Sequence, residues 1–393
     1  MKKSSISKLL CLISSLVLPL GMIAQSPAKL AHLDTFILQQ AERYHIPGIA
    51  VGVVKGDQLV WSKGYGWANL ERRTPMSTDG VMNIASISKT ITATAVLQLW
   101  EKGILQLDED VNTYIPFKLH HPQFPEKIIT IRQLLTHTSG IKDGPGYKKG
   151  YACGDPVMSL KDWIESCLAV GGEHYYAEYN FYPEGPGAVH RYSNVAFGLL
   201  GYIVEVIARQ PFHLYVKGNI LAPLGMSQTG YLLSEIDTQK VIIPYLYLGP
   251  LQKGLASTEE LPLPYFNPYC IYSFWNYPDG LIRTSVEDLA KYAAAYMNGG
   301  SLKGKRILKE ETIEMMQKEQ LSKSINEDQD QGLSWFYSPG LAPSWFHGGS
   351  DPGVSTRLYV DKENKIGVIV FQNSNEDNAF YIAKKLYQTF SKS

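Results

Sequence analysis

The chain has 393 residues, 45% hydrophobic, 11% aromatic and 19% charged, which is enough apolar content for a large core and too much for a disordered chain. Its 37 Lys and Arg balance 37 Asp and Glu, so the basic excess that phosphate contacts need is missing and a nucleic-acid partner is disfavoured. At about 150 residues per domain, the length fits two domains or one large one.

Lys2, Lys3 and Lys8 precede an apolar stretch over residues 9–23 that ends in Ala24. This is the pattern of a secretory signal over residues 1–24 or, left uncleaved, of a membrane anchor. No later run reaches the roughly 18 apolar residues of a spanning helix; residues 195–208 come nearest and are interrupted by Glu205. The mature chain is therefore expected to be exported, periplasmic or secreted, with no membrane span.

Next comes a helical pattern (Leu33, Phe36, Ile37, Ala41, Tyr44), stopped by Pro47-Gly48. Strand-like runs at 48–55 and 58–67 flank Gly56-Asp57, the turn chemistry of a β-hairpin. Helical periodicity follows at 90–100, 131–135, 194–207 and 286–297, while residues 142–190 and 244–280 are rich in Gly, Pro and Tyr and read as long loops. Their aromatic side chains would either line a cleft or form small cores of the loops' own. The far end returns to strands at 356–360 and 366–372 around a turn at 361–364, then a helix at 379–390. Strands at both ends and helices between predict an α+β fold. In it, residues 29–85 and 281–393 build one antiparallel sheet with terminal helices, and residues 86–280 form an inserted helical region.

Cys11 leaves with the leader, and Cys153, Cys167 and Cys270 are too few for a disulfide scaffold and lack metal-ligand spacing. No metal or cofactor is expected. In an oxidising compartment the short loop between Cys153 and Cys167 favours a bond between them, with Cys270 left as a buried thiol.

The chemistry starts at Ser86-Ile87-Ser88-Lys89. Residues three apart on a helix are neighbours, so the Ser86 hydroxyl would meet the Lys89 amine, and a desolvated lysine of lowered pKa can take a serine proton. The same spacing at Ser5 to Lys8 lies in the leader, so context carries the choice: Ser86 opens a strong helical run whose N-terminal N–H groups favour an oxyanion. A tyrosine would complete an acyl-transfer set. Tyr-x-Asn occurs at Tyr192, Tyr265 and Tyr296; the last reads as helix core plus cap, the middle one lies in an aromatic loop, and Tyr192 enters a helix directly behind Gly185-Pro186-Gly187. His137 looks like a triad histidine but is read as structural and not directly catalytic, and His120-His121 before Pro122 reads as a solvated loop. No G-x-S-x-G elbow or H-E-x-x-H pair exists.

These residues together resemble the class C β-lactamase and penicillin-binding-protein-like serine hydrolases, a family that includes DD-carboxypeptidases, D-amino-acid peptidases and some esterases. The resemblance runs from Pro47-Gly48-Ile49 through the Ser86 segment and residues 129–141 to Tyr192-Ser193-Asn194. It continues through Pro223-Leu224-Gly225-Met226 and Asp279-Gly280-Leu281 to His347-Gly348-Gly349. It implies a β-lactamase/transpeptidase-like fold with Ser86 as acylated nucleophile, Lys89 as its proton partner and Tyr192 as the base that also activates the deacylating water. Asn194 would bond the substrate amide, His347 and Gly349 would belong to the substrate-binding strand, and the N–H of Ser350 with that of Ser86 would form the oxyanion hole.

The third motif departs from the family: His347 replaces lysine and Gly348 replaces threonine, which removes a permanent charge and a hydroxyl that hold a substrate carboxylate. On that reading esters and neutral amides are turned over better than cephalosporins, and Gly348→Thr narrows the gap; Arg357 is the cation that would upset it. The expected activity is an exported serine acyl hydrolase acting on small peptides, amides or esters, with peptidoglycan stem peptides as candidate partners. The alternatives are a class C-type β-lactamase and a peptidoglycan- or penicillin-binding module that does not turn over.

Overall fold

The computed structural model describes residues 27–249, 266–327 and 330–392; residues 1–24, read above as a secretory signal, and Tyr265 lie outside them. Five helices carry the argument: α1 (Pro27–Arg43), α2 (Ser88–Glu101), α3 (Asn194–Ala208), α4 (Val286–Met297) and α5 (Ala379–Phe390). The main sheet uses β1 (Gly48–Lys55), β2 (Gln58–Asn69), β3 (Thr74–Pro75), β4 (Phe336–Ser338), β5 (Ser344–Asp351), β6 (Val354–Asp361) and β7 (Ile366–Gln372).

Its strand order is β4-β5-β6-β7-β1-β2-β3, antiparallel throughout, so the two ends of the chain meet where β1 pairs with β7. Alternation along β1 explains why the sheet is covered on both sides. Ile49, Val51 and Val53, with Val368 and Val370 of β7, pack against Leu33 and Ile37 of α1 and Ile382 and Leu386 of α5. Ala50, Val54, Ile369 and Phe371 point the other way, into the core shared with Val286, Leu289 and Ala293 of α4. Each of the Val, Leu, Ile and Phe side chains among these contributes roughly 1.5–3 kcal/mol by leaving water. Gly52 lets α4 close on the sheet, since a Cβ there would stand 2.6 Å from Val286 Cγ1.

The region between the two sheet-forming segments is built around α2, buried on all sides from Ser88 to Leu99. Such a helix shows no polar stripe, because it has no solvent face. Apolar α3 packs beside it. Among the described residues no single helix is long and apolar enough to cross a membrane, and α3 passes only when joined to the next helix across a 77° bend.

Two expectations fail here. The disulfide joins Cys153 to Cys270, 117 residues apart, and Cys167 is the buried free thiol. The short strand Ala152–Cys153 pairs with Tyr272–Ser273, and Gly154 N–H donates to Ile271 O at 2.8 Å, which brings Cys270 alongside; Cys167 instead faces Ile164 O within its own helix. Strand pairing, not loop length, selected the partner. His121 is fully buried, with Nε2 2.9 Å from Tyr182 O and its ring between Phe124 and Phe181, whereas His120 is exposed.

Candidate active site

Ser86 sits on a single 3₁₀ turn, Ala85–Ile87, that runs directly into α2. The turn is held from three sides. Asn83 Oδ1 accepts from Ala85 N at 2.7 Å, Ile84 N donates to Ile282 O at 2.9 Å, and Thr356 Oγ1 donates to Ile84 O at 2.9 Å. Ala85 adopts φ +47°, an uncommon conformation for a side-chain-bearing residue, kept in place by these bonds. Gly349 of β5 lies against the same turn so closely that a Cβ there would stand 2.2 Å from Ile84 O. The third motif therefore needs glycine at 349 for the strand to reach the nucleophile.

One turn on, Lys89 is wholly buried, and its three N–H bonds are all taken: Ser86 Oγ at 3.1 Å, Asn194 Oδ1 at 2.7 Å and Asp279 O at 2.8 Å. The Asp279 carboxylate stands 3.6 Å away. Burial pushes the Lys89 amine down, but the Tyr192 phenol, Asp279 and Asp143 facing it push harder, and the net direction is up. This corrects the expectation of a lysine made basic by desolvation. Lys89 donates to Ser86 Oγ as an ammonium.

Tyr192 faces that ammonium, with its ring centroid 5.0 Å from Lys89 Nζ. The ring is stacked on His137 at 4.1 Å and 27°. His137 is buried, its Nδ1 accepts from Ser193 N at 3.1 Å, and burial holds its imidazole well below the usual range, so it is a neutral platform for the ring. Ser193 caps α3 by accepting from Ala196 N at 3.1 Å, which fixes where the helix begins and hence where Asn194 points. Of the other Tyr-x-Asn copies, Tyr296 is buried in α4 with its hydroxyl on Thr94.

Asn194 is more constrained than a free substrate contact. Its Oδ1 accepts from Lys89, and its Nδ2 donates to Asp143 Oδ2 at 2.7 Å. Asp143 also accepts from the Asn194 and Val195 N–H groups at 2.8 and 2.9 Å, an acid at the positive end of α3. Burial nevertheless raises the Asp143 carboxyl above its ordinary value, and raises that of Asp279 to about 6 even with Lys89 beside it and Tyr147 donating to Oδ2 at 2.7 Å.

His347 is buried, with Nδ1 2.7 Å from Gly348 O, and burial with Lys89 and Arg357 nearby pushes it down to about 3, so it is neutral. A cation reaches this strand from the next one, already paired with the Asp377 carboxylate. Arg357 faces Gly348 across the β5–β6 ladder and lies over it, Nη1 standing 2.6 Å from where a Cβ would be. A permanent charge therefore lies beside the third motif, in space that Gly348 leaves open.

These groups line a cleft of about 430 Å³. Ser86, Tyr192, Asn194, His347, Gly349 and Ser350 all border it, as do Tyr147, Tyr151, Phe274, Asp279, Asp351 and Arg357. The sequence reading assigned no part to Asp143, Asp279 or Asp351; Asp351 ends β5 and the other two lie in connecting segments far apart in the chain, so no local spacing announces the group. Among the described residues no cluster of potential metal ligands is present.

Residues 33–389 match the model of the family described as Beta-lactamase. The chain belongs to the Beta-lactamase family. It is 26% identical over 348 residues to Protein flp of Staphylococcus aureus (strain MRSA252), covering 88% of this chain and 63% of that one, so it spans somewhat under two thirds of that relative. It is 25% identical over 360 residues to Penicillin-binding protein 4* of Bacillus subtilis (strain 168), covering 90% of this chain and 73% of that one. Among solved structures, the octameric penicillin-binding protein homologue from Pyrococcus abyssi superimposes with a TM-score of 0.71 at 26% identity, covering 91% of this chain and 76% of the other.

Proposed function

We propose that the protein is an exported acyl hydrolase that opens small peptides, amides or esters through a covalent acyl-Ser86. The observation that carries this reading is the Lys89 ammonium, whose three bonds fix Ser86, Asn194 and the Asp279 backbone around one point of the cleft. In the working form Tyr192, opposite that ammonium, is the base. Ser86 Oγ bonds to the substrate carbonyl carbon while its proton passes to Tyr192; the carbonyl electrons move to oxygen, toward the Ser86 and Ser350 backbone N–H groups. Collapse breaks the bond to the leaving amine or alcohol, which takes the proton from Tyr192. A water then repeats the sequence on the acyl-enzyme, releases the acid and returns Ser86. Donors fixed where charge develops are typically worth about 10²–10³ in rate each.

Export is supported by the charged and apolar leader pattern and by the Cys153–Cys270 bond, which suits an oxidising compartment. A second reading, a class C-type β-lactamase, gains from Arg357, a cation placed at the motif where a β-lactam carboxylate would lie. Purified protein assayed on chromogenic esters, D-alanyl peptides and a cephalosporin, with intact mass followed alongside, tests both. Turnover with a transient acyl adduct is expected. An adduct that persists without turnover would make the protein a binding module instead.

A further inference from the structure

Asp351 closes β5, paired with Val354 across a turn in which Gly353 takes φ +70°. The Tyr272 hydroxyl donates to Pro352 O at 3.0 Å and braces that turn, so the end of the strand sets where the Asp351 carboxyl stands in the cleft wall. Its two oxygens have separate partners. Tyr151 donates to Oδ1 at 2.9 Å, and Asn83 Nδ2 donates to Oδ2 at 3.2 Å. A buried acid held by neutral partners costs stability, and costs of that kind collect where function requires them.

The bond to Asn83 leads to the nucleophile. Met82–Asn83 pairs with Arg283–Thr284, which pins the Asn83 backbone and leaves its side-chain amide a choice of two orientations. In the one adopted, Oδ1 accepts from Ala85 N at 2.7 Å, two residues on, and Nδ2 faces Asp351. The flipped amide would set its NH2 against the Ala85 N–H, donor to donor. An acceptor at 351 therefore selects the orientation that holds Ala85. That residue has φ +47°, and the angle sets the plane of the next peptide, which carries the Ser86 N–H. Gly349 and Thr356, from the same β5–β6 hairpin, bear on Ile84 O, whereas the Ala85 N–H is held by Asn83.

We propose that Asp351 is a positioning residue for the nucleophile turn: by fixing the Asn83 amide it fixes Ala85, and with it the Ser86 hydroxyl and N–H. It works through Asn83 and not through the reacting atoms. This rests on the acyl-hydrolase reading above and adds to it what keeps the nucleophile in line.

The test follows acylation of Ser86 by a fluorophosphonate at pH 8, above the value of about 7 to which burial raises the Asp351 carboxyl, and separates the maximal rate kinact from the binding constant KI. Asp351→Leu, which removes the acceptor, should lower kinact roughly 10–100-fold and leave KI little changed, because a small misplacement of the attacking group is felt in the rate and not in binding. Asp351→Asn, which still offers the Asn83 amide an oxygen, should recover most of that loss. Asn83→Ala leaves β5 untouched and should be as slow as Asp351→Leu, and the double variant no slower than either alone, since the two residues act as one path.

A loss confined to KI would make Asp351 a contact of the ligand and overturn the proposal. So would penalties that multiply in the double variant. Should Asp351→Leu fail to fold, Asn83→Ala still decides, and an unchanged kinact there refutes the path. An adduct formed at the wild-type rate in these variants removes this proposal alone; no adduct on Ser86 in the wild type removes the acyl-hydrolase reading and this proposal with it.

Discussion

Replacing Gly348 by threonine should weaken the hold on a substrate carboxylate, the reverse of what the third motif suggests when read alone. A Cβ at 348 would stand 2.6 Å from Arg357 Nη1, 3.0 Å from Cζ and 3.3 Å from Nε, so the guanidinium must swing away from the strand. Its present position is fixed by Nη1 donating to Thr356 O at 2.9 Å and by Nη2 on the Asp377 carboxylate. The added hydroxyl offers one neutral donor in exchange for a charged fork, and a bond to a charged group is worth about 1.5–3 kcal/mol against 0.5–1.5 for an ordinary one. Gly348→Thr should therefore lower kcat/KM on a D-alanyl peptide with a free C-terminus by about 10-fold or more relative to the same peptide as its C-terminal amide. Arg357→Gln should produce the same selective loss with the strand untouched. If Gly348→Thr improves the carboxylated peptide, or Arg357→Gln treats the two peptides alike, Arg357 is not the carboxylate's partner and the argument is wrong.

Tyr192→Phe keeps the ring that stacks on His137 and removes the proton acceptor, so thermal stability should stay close to wild type while the rate falls by about 10²–10⁴, measured on any substrate that turns over; unchanged turnover would reassign the base. The cysteine pattern predicts that denatured, unreduced protein lacking the leader titrates one thiol, Cys167, and yields a peptide linking Cys153 to Cys270; three thiols would contradict it. Burial raises the Asp351 carboxyl from 3.8 to about 7, so between about pH 4 and 7 the folded chain keeps a proton that the unfolded chain has released, and stability falls as pH rises through that window. At 1.36 kcal/mol per tenfold the ceiling is about 4 kcal/mol; with water in the cleft, Asp351→Asn should stabilise by on the order of 1–2 kcal/mol at pH 8 and by less at pH 5, read from urea unfolding. A variant less stable at pH 8 than wild type would refute this.

The elements that position the site were legible because their patterns are local. The hairpin at Gly56, the helices at 131–135 and 286–297 and the final helix at 379–390 follow from turn residues and apolar period, and the structure has them at those places. Ser86 and Lys89 are three residues apart, so a helical turn is enough to bring them together. What was not legible depends on pairings across long stretches of chain. Cys153 meets Cys270 because two short strands in different loops pair. The upward direction at Lys89 needs Tyr192, Asp279 and Asp143, which lie 103, 190 and 54 residues away in sequence and act only once the chain has folded them together. Arg357 was visible as a residue, but its place over Gly348 follows from the β5–β6 register, which a sequence does not print.

The central claim is that Ser86 is the residue acylated in turnover. Treating the protein with a fluorophosphonate probe and mapping the adduct by peptide mass tests it most directly. The account predicts a single adduct on the peptide carrying Ser86, absent from Ser86→Ala and formed more slowly in Tyr192→Phe; an adduct on another serine, or one that survives in Ser86→Ala, would contradict it.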